Sequence, residues 1–403
     1  MVKMVTTYGL PTKVVYCKKC VISNQRPNST VEFKSTGKIK KTTIGFGKDG
    51  VCDACRFAEY KVTKIDWEKR EKELIALCNK YRRNDGYYDC IIPGSGGKDS
   101  GFTAHILKNK YGMNPLTVTW APHLYTEIGW NNQMSWIQVG GFDNILFTPN
   151  GIVHRLLTKL AFENLLHPFQ PFIIGQRLIA PKLALLYNIP LIFYGENQAE
   201  YGNRFEENDI PTMNEEFFAH RITLNNLYLG GISAKTLVRE KKIAITDLNP
   251  YLPIPYSEIK KHHIKVHYLG YYLKWDPQEN YYYSVENTGF VANNQRTEGS
   301  YSKYSSIDDK IDPFHYYTTL IKFGIGRATY DASQEIRNGK ITREEGVALV
   351  RRYDQEFPAK YFKEFLEYID INENTFWKHI DSGRSSHLWK KRAGKWRLSH
   401  RVS

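Results

Sequence analysis

Nine consecutive residues, Pro93-Gly94-Ser95-Gly96-Gly97-Lys98-Asp99-Ser100-Gly101, concentrate the chemistry of this sequence. They follow a short apolar run and precede an amphipathic one, which places them on a strand-to-helix turn. Glycines let a backbone approach a ligand closely, so the amides and the Ser95 and Ser100 hydroxyls can cradle phosphate oxygens at a helix N-terminus. Lys98 can add positive charge, and Asp99 can orient the loop or a magnesium ion. A Gly-rich turn with a Ser or Asp cap is the plainer alternative. The coincidence of hydroxyls, glycines and lysine in one strand-helix context weighs against it. The spacing does not fit the Walker A pattern GxxxxGK[ST].

A second candidate, Tyr194-Gly195-Glu196-Asn197-Gln198-Ala199-Glu200-Tyr201-Gly202, follows another apolar run. Glu196, Asn197 and Glu200 could hold magnesium, a ribose or an incoming nucleophile; a polar loop with helix-capping residues is the alternative. Two CxxC pairs, Cys17/Cys20 and Cys52/Cys55, are separated by 31 residues. Each pair puts two thiolates on one turn, and two turns complete a tetrahedral structural zinc site, with a redox pair or an iron-sulfur cluster as alternatives. Cys78 and Cys90 read as buried apolar thiols.

Short apolar runs at Tyr88–Pro93, Leu116–Trp120, Ile145–Phe147 and Pro190–Tyr194 read as strands. Helical spacing over 100–111, 127–140, 154–166 and 176–187 alternates with them. This pattern predicts an α/β fold, a parallel sheet with helices on both faces, whose ligands sit beyond the carboxyl ends of the strands. The chain divides into a zinc-binding module at 1–62, the sheet domain at 63–205 and a mostly helical substrate or assembly region at 206–403.

The 403 residues, 41% hydrophobic and 24% charged, exclude a disordered or collagenous chain and a small disulfide scaffold. A net charge of +14 favours anionic partners without choosing among them. The N-terminus lacks an apolar signal core, and Leu178–Tyr194 is interrupted by Pro181, Lys182, Asn188 and Pro190, so no membrane span is expected and the protein reads as cytoplasmic. After Asp381 the tail is basic, and Trp389 and Trp396 could stack on bases or cover a core. His262, His263 and His267 read as solvated surface.

Ser95-Gly96-Gly97-Lys98-Asp99-Ser100 resembles SGGxDS, the pyrophosphate-binding loop of the PP-loop ATP pyrophosphatase superfamily. This resemblance implies an adenine nucleotide alpha hydrolase-like sheet and cleavage of ATP between its α and β phosphates, with magnesium. Many tRNA thiolases with this loop use a downstream cysteine, and none follows Cys90 here. Sulfur relay is therefore disfavoured, although a tRNA-modifying enzyme of the thiolation type stays as the rival reading and a dead scaffold as a third. Across almost the whole chain the sequence further resembles the N-acetyl sugar amidotransferases of surface polysaccharide and pseudaminic acid type biosynthesis. That resemblance rests on the cysteine module, the loop, Gly175-Gln176-Arg177 as a helix start, Tyr194-Gly195-Glu196-Asn197, Phe323-Gly324-Ile325-Gly326-Arg327-Ala328-Thr329 and Ile341-Thr342-Arg343-Glu344-Glu345-Gly346. It implies conversion of an acetamido into an acetamidino group on a sugar or nucleotide sugar, with ATP and with ammonia from a separate glutaminase subunit resembling the glutaminase and cyclase pair of imidazole glycerol phosphate synthase. On that basis Ser95, Gly96, Gly97 and Ser100 hold pyrophosphate, Lys98 stabilises charge, and Asp99 with Glu196 serves magnesium or positioning. Arg327 is the candidate for an anionic part of the substrate, with an ion pair to Asp331 as its alternative.

Overall fold

The computed structural model describes residues 6–35, 37, 39–195, 203, 209–219 and 223–403. Helices α1 (Asp53–Thr63) and α2 (Trp67–Tyr81) lead into an alternation of strand β1 (Cys90–Pro93), helix α3 (Lys98–Asn109), β2 (Pro115–Trp120), α4 (Glu127–Gln138), β3 (Asp143–Phe147), α5 (Gly151–Leu165), α6 (Gln170–Tyr187) and β4 (Leu191–Tyr194). A two-residue ladder, β5 (Tyr228–Leu229) with β6 (Ile232–Ser233), precedes β7 (Lys265–Tyr268), and β8 (Trp389–Arg392) pairs with β9 (Lys395–Leu398) near the C-terminus. The main sheet has the order β3-β2-β1-β4-β7 with every neighbour parallel. This is the α/β architecture that the strand and helix alternation requires. Its fifth strand comes from beyond residue 205, out of the stretch expected to be mostly helical.

Period-two alternation distributes the strand side chains between two cores. Cys90, Ile92, Leu191 and Phe193 pack with Ala104 and Leu107 of α3 and Trp136 of α4. Ile91, Leu116, Val118, Trp120, Ile192 and Val266 pack with α5 and α6 on the other face. The order of strands reverses between β1 and β4, so their carboxyl ends flank the crevice where such sheets take ligands. β7 also corrects the reading of His267 as surface: both faces of that strand are covered, so Val266, His267 and Tyr268 are all buried, the His267 Nδ1 lies 2.7 Å from the Tyr272 hydroxyl, and burial lowers the His267 pKa to about 4.

Helix α6 begins at Gln170, with Pro171 in its first turn, rather than at 175–177. Proline fits there because the first amides have no helical acceptor. Gly175 instead lies inside the helix against the sheet, where an added Cβ would stand 2.2 Å from Trp120. Beyond the sheet, helices Asp312–Phe323, Phe362–Ile369 and Glu373–Ser382 bury Phe314, Phe365 and Phe376 in a further core that reaches Phe162 of α5. The basic tail folds back on this core as the β8–β9 hairpin. Trp389 is buried and donates to the Ile321 carbonyl at 2.8 Å, and Arg384 lies over the Trp389 and Trp396 rings. Both rings are therefore engaged in packing.

Candidate functional site

The Ser95–Ser100 loop leaves β1 at the centre of the sheet. Gly94 donates to the Val118 carbonyl at 2.9 Å, which extends the β1–β2 ladder to the start of the turn. Gly96 has φ +74°, and a Cβ there would meet the Asn132 carbonyl oxygen at 2.7 Å, so glycine is required both by conformation and by space. Gly97 caps α3, Ser100 Oγ donates to the Gly97 carbonyl at 3.0 Å, and the first amides of α3 have no helical acceptor. The result is a backbone turn with oriented donors at a helix N-terminus, where an anion is electrostatically favoured.

The helix Pro277–Thr288 braces this turn. Ser284 Oγ donates to the Lys98 carbonyl at 2.7 Å, Asn280 Nδ2 donates to Asp99 Oδ1 at 3.1 Å, and Gly101 permits the approach, since a Cβ there would lie 2.8 Å from Ser284 Oγ. Lys98 Nζ is paired with Asp99 Oδ2. Ser95 Oγ donates to Asp308 Oδ2 at 2.9 Å. Burial, reinforced by Asp309, raises the Asp308 pKa, and burial pushes Asp312 up to about 7. Asp309 accepts from the His123 amide at 2.8 Å and lies 2.7 Å from His123 Nδ1, which ties this acidic segment to the loop after β2.

Two adjoining cavities open here. One of about 300 Å³ is lined by Ser95, Gly97, Lys98, Asp99, Trp275 and Tyr304. The other, about 900 Å³, takes Ser95, Arg177, His315 and Lys322 into its wall together with residues 26–34 and 39–42 of the N-terminal module. Ser95, Asp308, Asp312, Tyr316, Arg327 and Asp331 line both. The loop, Lys98, Asp99 and Arg327 are thus brought to one place, while Glu196, Asn197 and Glu200 lie outside the described residues. Arg327 is ion-paired with Asp331 at 3.0 Å and lies over the Tyr316 ring. Burial opposes its charge, but Asp331, Tyr316 and Asp312 together outweigh that and raise its pKa. Gly326 and Thr329 serve Asp354, which accepts from both their amides (2.9 and 2.8 Å) and from the Thr329 hydroxyl (2.9 Å). Thr342 and Glu345 form a capping box on the helix Arg343–Tyr353. Sequence reasoning missed Asn280, Ser284, Asp308 and Asp312, which carry no motif, and took Arg177 only as part of a helix start; the acidic run Asp308-Asp309…Asp312 in a basic chain was the one available signal for the others.

The sulfurs of Cys17, Cys20, Cys52 and Cys55 all lie within 4.8 Å of one another, with the Cys17 and Cys55 Sγ atoms 3.9 Å apart and those of Cys20 and Cys52 3.7 Å apart. A zinc tetrahedron with Zn–S of about 2.3 Å has edges of about 3.8 Å. The amides of Lys19, Cys20 and Cys52 point at Cys17 Sγ at 3.3, 3.5 and 3.3 Å, the environment of a thiolate. These donors fit a closed zinc site. The cluster packs against Ile325, directly before Gly326 and Arg327.

Residues 298–403 match the family of the LPS biosynthesis protein WbpG-like, C-terminal domain. That stretch contributes Asp308, Asp312, Arg327 and Asp331 to the cavities. An uncharacterised protein of Methanocaldococcus jannaschii is 35% identical over 83 residues, which is 21% of this chain and 29% of that protein's length. Among solved structures, an NH3-dependent NAD synthetase from Campylobacter jejuni shares 14% identity over 34% of this chain and 59% of its own, with a TM-score of 0.27. An NMN synthetase from Francisella tularensis shares 12% identity over 78% of this chain and 97% of its own, with a TM-score of 0.31. At such scores neither likeness bears on the reading of the site. Among the described residues, no helix is long and apolar enough to cross a membrane.

Proposed function

We propose that the protein is an ATP-dependent amidotransferase that converts the acetamido group of a sugar into an acetamidino group. The observation that carries this reading is the sharing of Ser95, Asp308 and Arg327 between the loop's cavity and one of about 900 Å³, room for a second substrate beside the phosphates. The match of 298–403 to a WbpG-like domain supports a role in building surface polysaccharide.

In this reading the acetamido oxygen attacks the α phosphorus of ATP and the α–β bond breaks, releasing pyrophosphate and leaving an O-adenylyl imidate. Ammonia then adds to the imidate carbon, a proton is lost, and the C–O bond breaks to release AMP. The amides and hydroxyls from Ser95 to Ser100 hold pyrophosphate, with Lys98 countering its charge. Asp99, steadied by Asn280, faces the phosphates, and Glu196 is its proposed partner for magnesium, an ion that would neutralise the triphosphate. Asn197 and Glu200 are proposed substrate contacts. Arg327 is proposed to contact the substrate at the wall between the cavities, its orientation set by Asp331 and Tyr316. Ammonia is supplied by a separate glutaminase subunit. All six cysteines are buried, four of them in the cluster, and the tail tryptophans are packed, which favours amidine synthesis over sulfur transfer to RNA.

The test is mass spectrometry of acetamido sugars and their nucleotide conjugates incubated with the protein, ATP, magnesium and ammonium, while AMP and pyrophosphate are followed. A product in which O is replaced by NH, formed with AMP and lost in Lys98→Ala and Asp99→Ala, is expected. Normal AMP formation by both variants, or a tRNA fraction modified in place of any sugar, refutes the proposal.

A further inference from the structure

The larger cavity carries charge unevenly. Asp308, Asp312 and Asp331 crowd the end it shares with the loop, whereas Arg177 lines the larger cavity and not the smaller one. Three of the cations in its wall meet carboxylates, two of them sharing one, while Lys34 lies over the Tyr228 ring. Lys322 is paired with Glu32, Lys41 pairs with the same carboxylate at 3.1 Å, and Arg327 pairs with Asp331. Burial keeps His167 and His315 uncharged, His315 with a pKa lowered to about 3.

Arg177 differs. Its Nη2 donates to the Ser29 carbonyl at 3.0 Å, and its guanidinium lies 5.2 Å from the Phe217 ring centroid. Among the described residues no carboxylate pairs with it, and its Nε and Nη1 have no acceptor. Burial accordingly lowers its pKa rather than an acid raising it. A guanidinium held in a cavity wall without a counter-charge is poised for a carboxylate or phosphate, which its planar fork binds through two parallel hydrogen bonds. Ser29, whose amide also donates to Asn203 Oδ1 at 3.1 Å, clips the N-terminal module over this corner. Cys17 and Cys20 precede that segment and Cys52 and Cys55 follow it, so the metal-stapled module forms part of the wall that holds Arg177.

We propose that Arg177 is the specificity residue that receives an oxyanion of the acceptor, in a subsite roofed by Ser29 of the four-cysteine module and set apart from the reacting end at Ser95. This rests on the reading of the larger cavity as the acceptor site. Calorimetric titration with glucuronate, glucose 1-phosphate, UDP and neutral N-acetylglucosamine tests it, on the full chain and on Arg177→Gln, with ATP titrated in parallel. Binding of at least one anionic probe is expected, weakened about 10- to 100-fold in Arg177→Gln, with ATP affinity unchanged and the neutral sugar indifferent to the substitution. Glucuronate binding would identify a carboxylate; glucose 1-phosphate or UDP binding would identify a phosphate.

The idea is overturned if no anionic probe binds the wild type, or if all bind Arg177→Gln equally well. Failure of ATP to bind the wild type would instead refute the amidotransferase reading. Should Arg177→Gln not fold, the Arg177 Nε–H resonance of the wild type decides, assigned through Arg177→Lys. Its shift on adding the bound probe supports the subsite, and an unmoved resonance refutes it.

Discussion

Gly96→Ala separates the geometry of the loop from the general burden of a strained glycine. Gly96 and Gly86 both have positive φ, +74° and +80°. The left-handed conformation costs an alanine about 1–2 kcal/mol at either place. A Cβ on Gly86 meets nothing within 4 Å, whereas on Gly96 it lies 2.7 Å from the Asn132 carbonyl and 2.8 Å from Gln133 Cα, both backbone atoms of α4. Ordinary contact begins at 3.4 Å, so the turn must retreat by about 0.7 Å from a helix that is anchored on the sheet. A displacement approaching 1 Å in a site that works by positioning costs on the order of 100-fold in rate. Gly96→Ala should therefore lose about 100-fold in AMP formation, and both variants should lose about 1–2 kcal/mol in urea unfolding, with Gly96→Ala the lower by up to about 2 kcal/mol of overpacking. Gly86→Ala should retain its rate. The assay is AMP release under saturating ATP with the acceptor found by mass spectrometry. Equal rates in the two variants would refute the assignment of the loop as the phosphate cradle.

Asn280→Ala removes the donor to Asp99, a hydrogen bond to a charged group worth about 1.5–3 kcal/mol, and should cost stability of that order in urea unfolding and slow AMP formation by about 10- to 100-fold; an unchanged rate would show that the brace on Asp99 does not serve the chemistry. Because burial raises the Asp312 pKa to about 7, the native state holds that proton more tightly than the unfolded chain does. Its contribution therefore falls as pH rises from about 4 to about 7 and is level above, a loss of at most about 4 kcal/mol. Asp312→Asn should then gain stability over the wild type between pH 5 and pH 8 in urea titrations, and a constant difference would contradict the burial argument. Metal analysis should find one zinc per chain, and Cys52→Ser should lose it together with binding of the acceptor, since the same module walls the larger cavity; full acceptor binding by metal-free protein would exclude that link.

The sequence alone was enough for the loop and for the layer architecture. Glycine, hydroxyl and lysine types at 94–100 restrict what a backbone can do locally, and period-two and helical apolar spacing is a one-dimensional signal. The two CxxC pairs were legible for the same reason, because each is a single turn. Other features depended on partners distant in sequence. His267 looked like surface among histidines and lysines until parallel pairing with Phe193 buried it. Gly175 looked like a helix start until Trp120 from the next layer showed why a side chain is excluded there.

What the amino-acid sequence determined by itself is a glycine-rich turn between a buried strand and a helix, a four-cysteine cluster and an α/β sheet, all set by short-range spacing and residue type. Only the tertiary structure decided what faces that turn. It brought Asn280 and Ser284 to brace the loop across more than 180 positions, set Asp308 against Ser95, neutralised Arg327 with Asp331, and left Arg177 in a cavity wall beneath the cysteine module. Those relations follow from packing between distant segments, where burial and charge pairing are properties of neighbours that a linear pattern does not name.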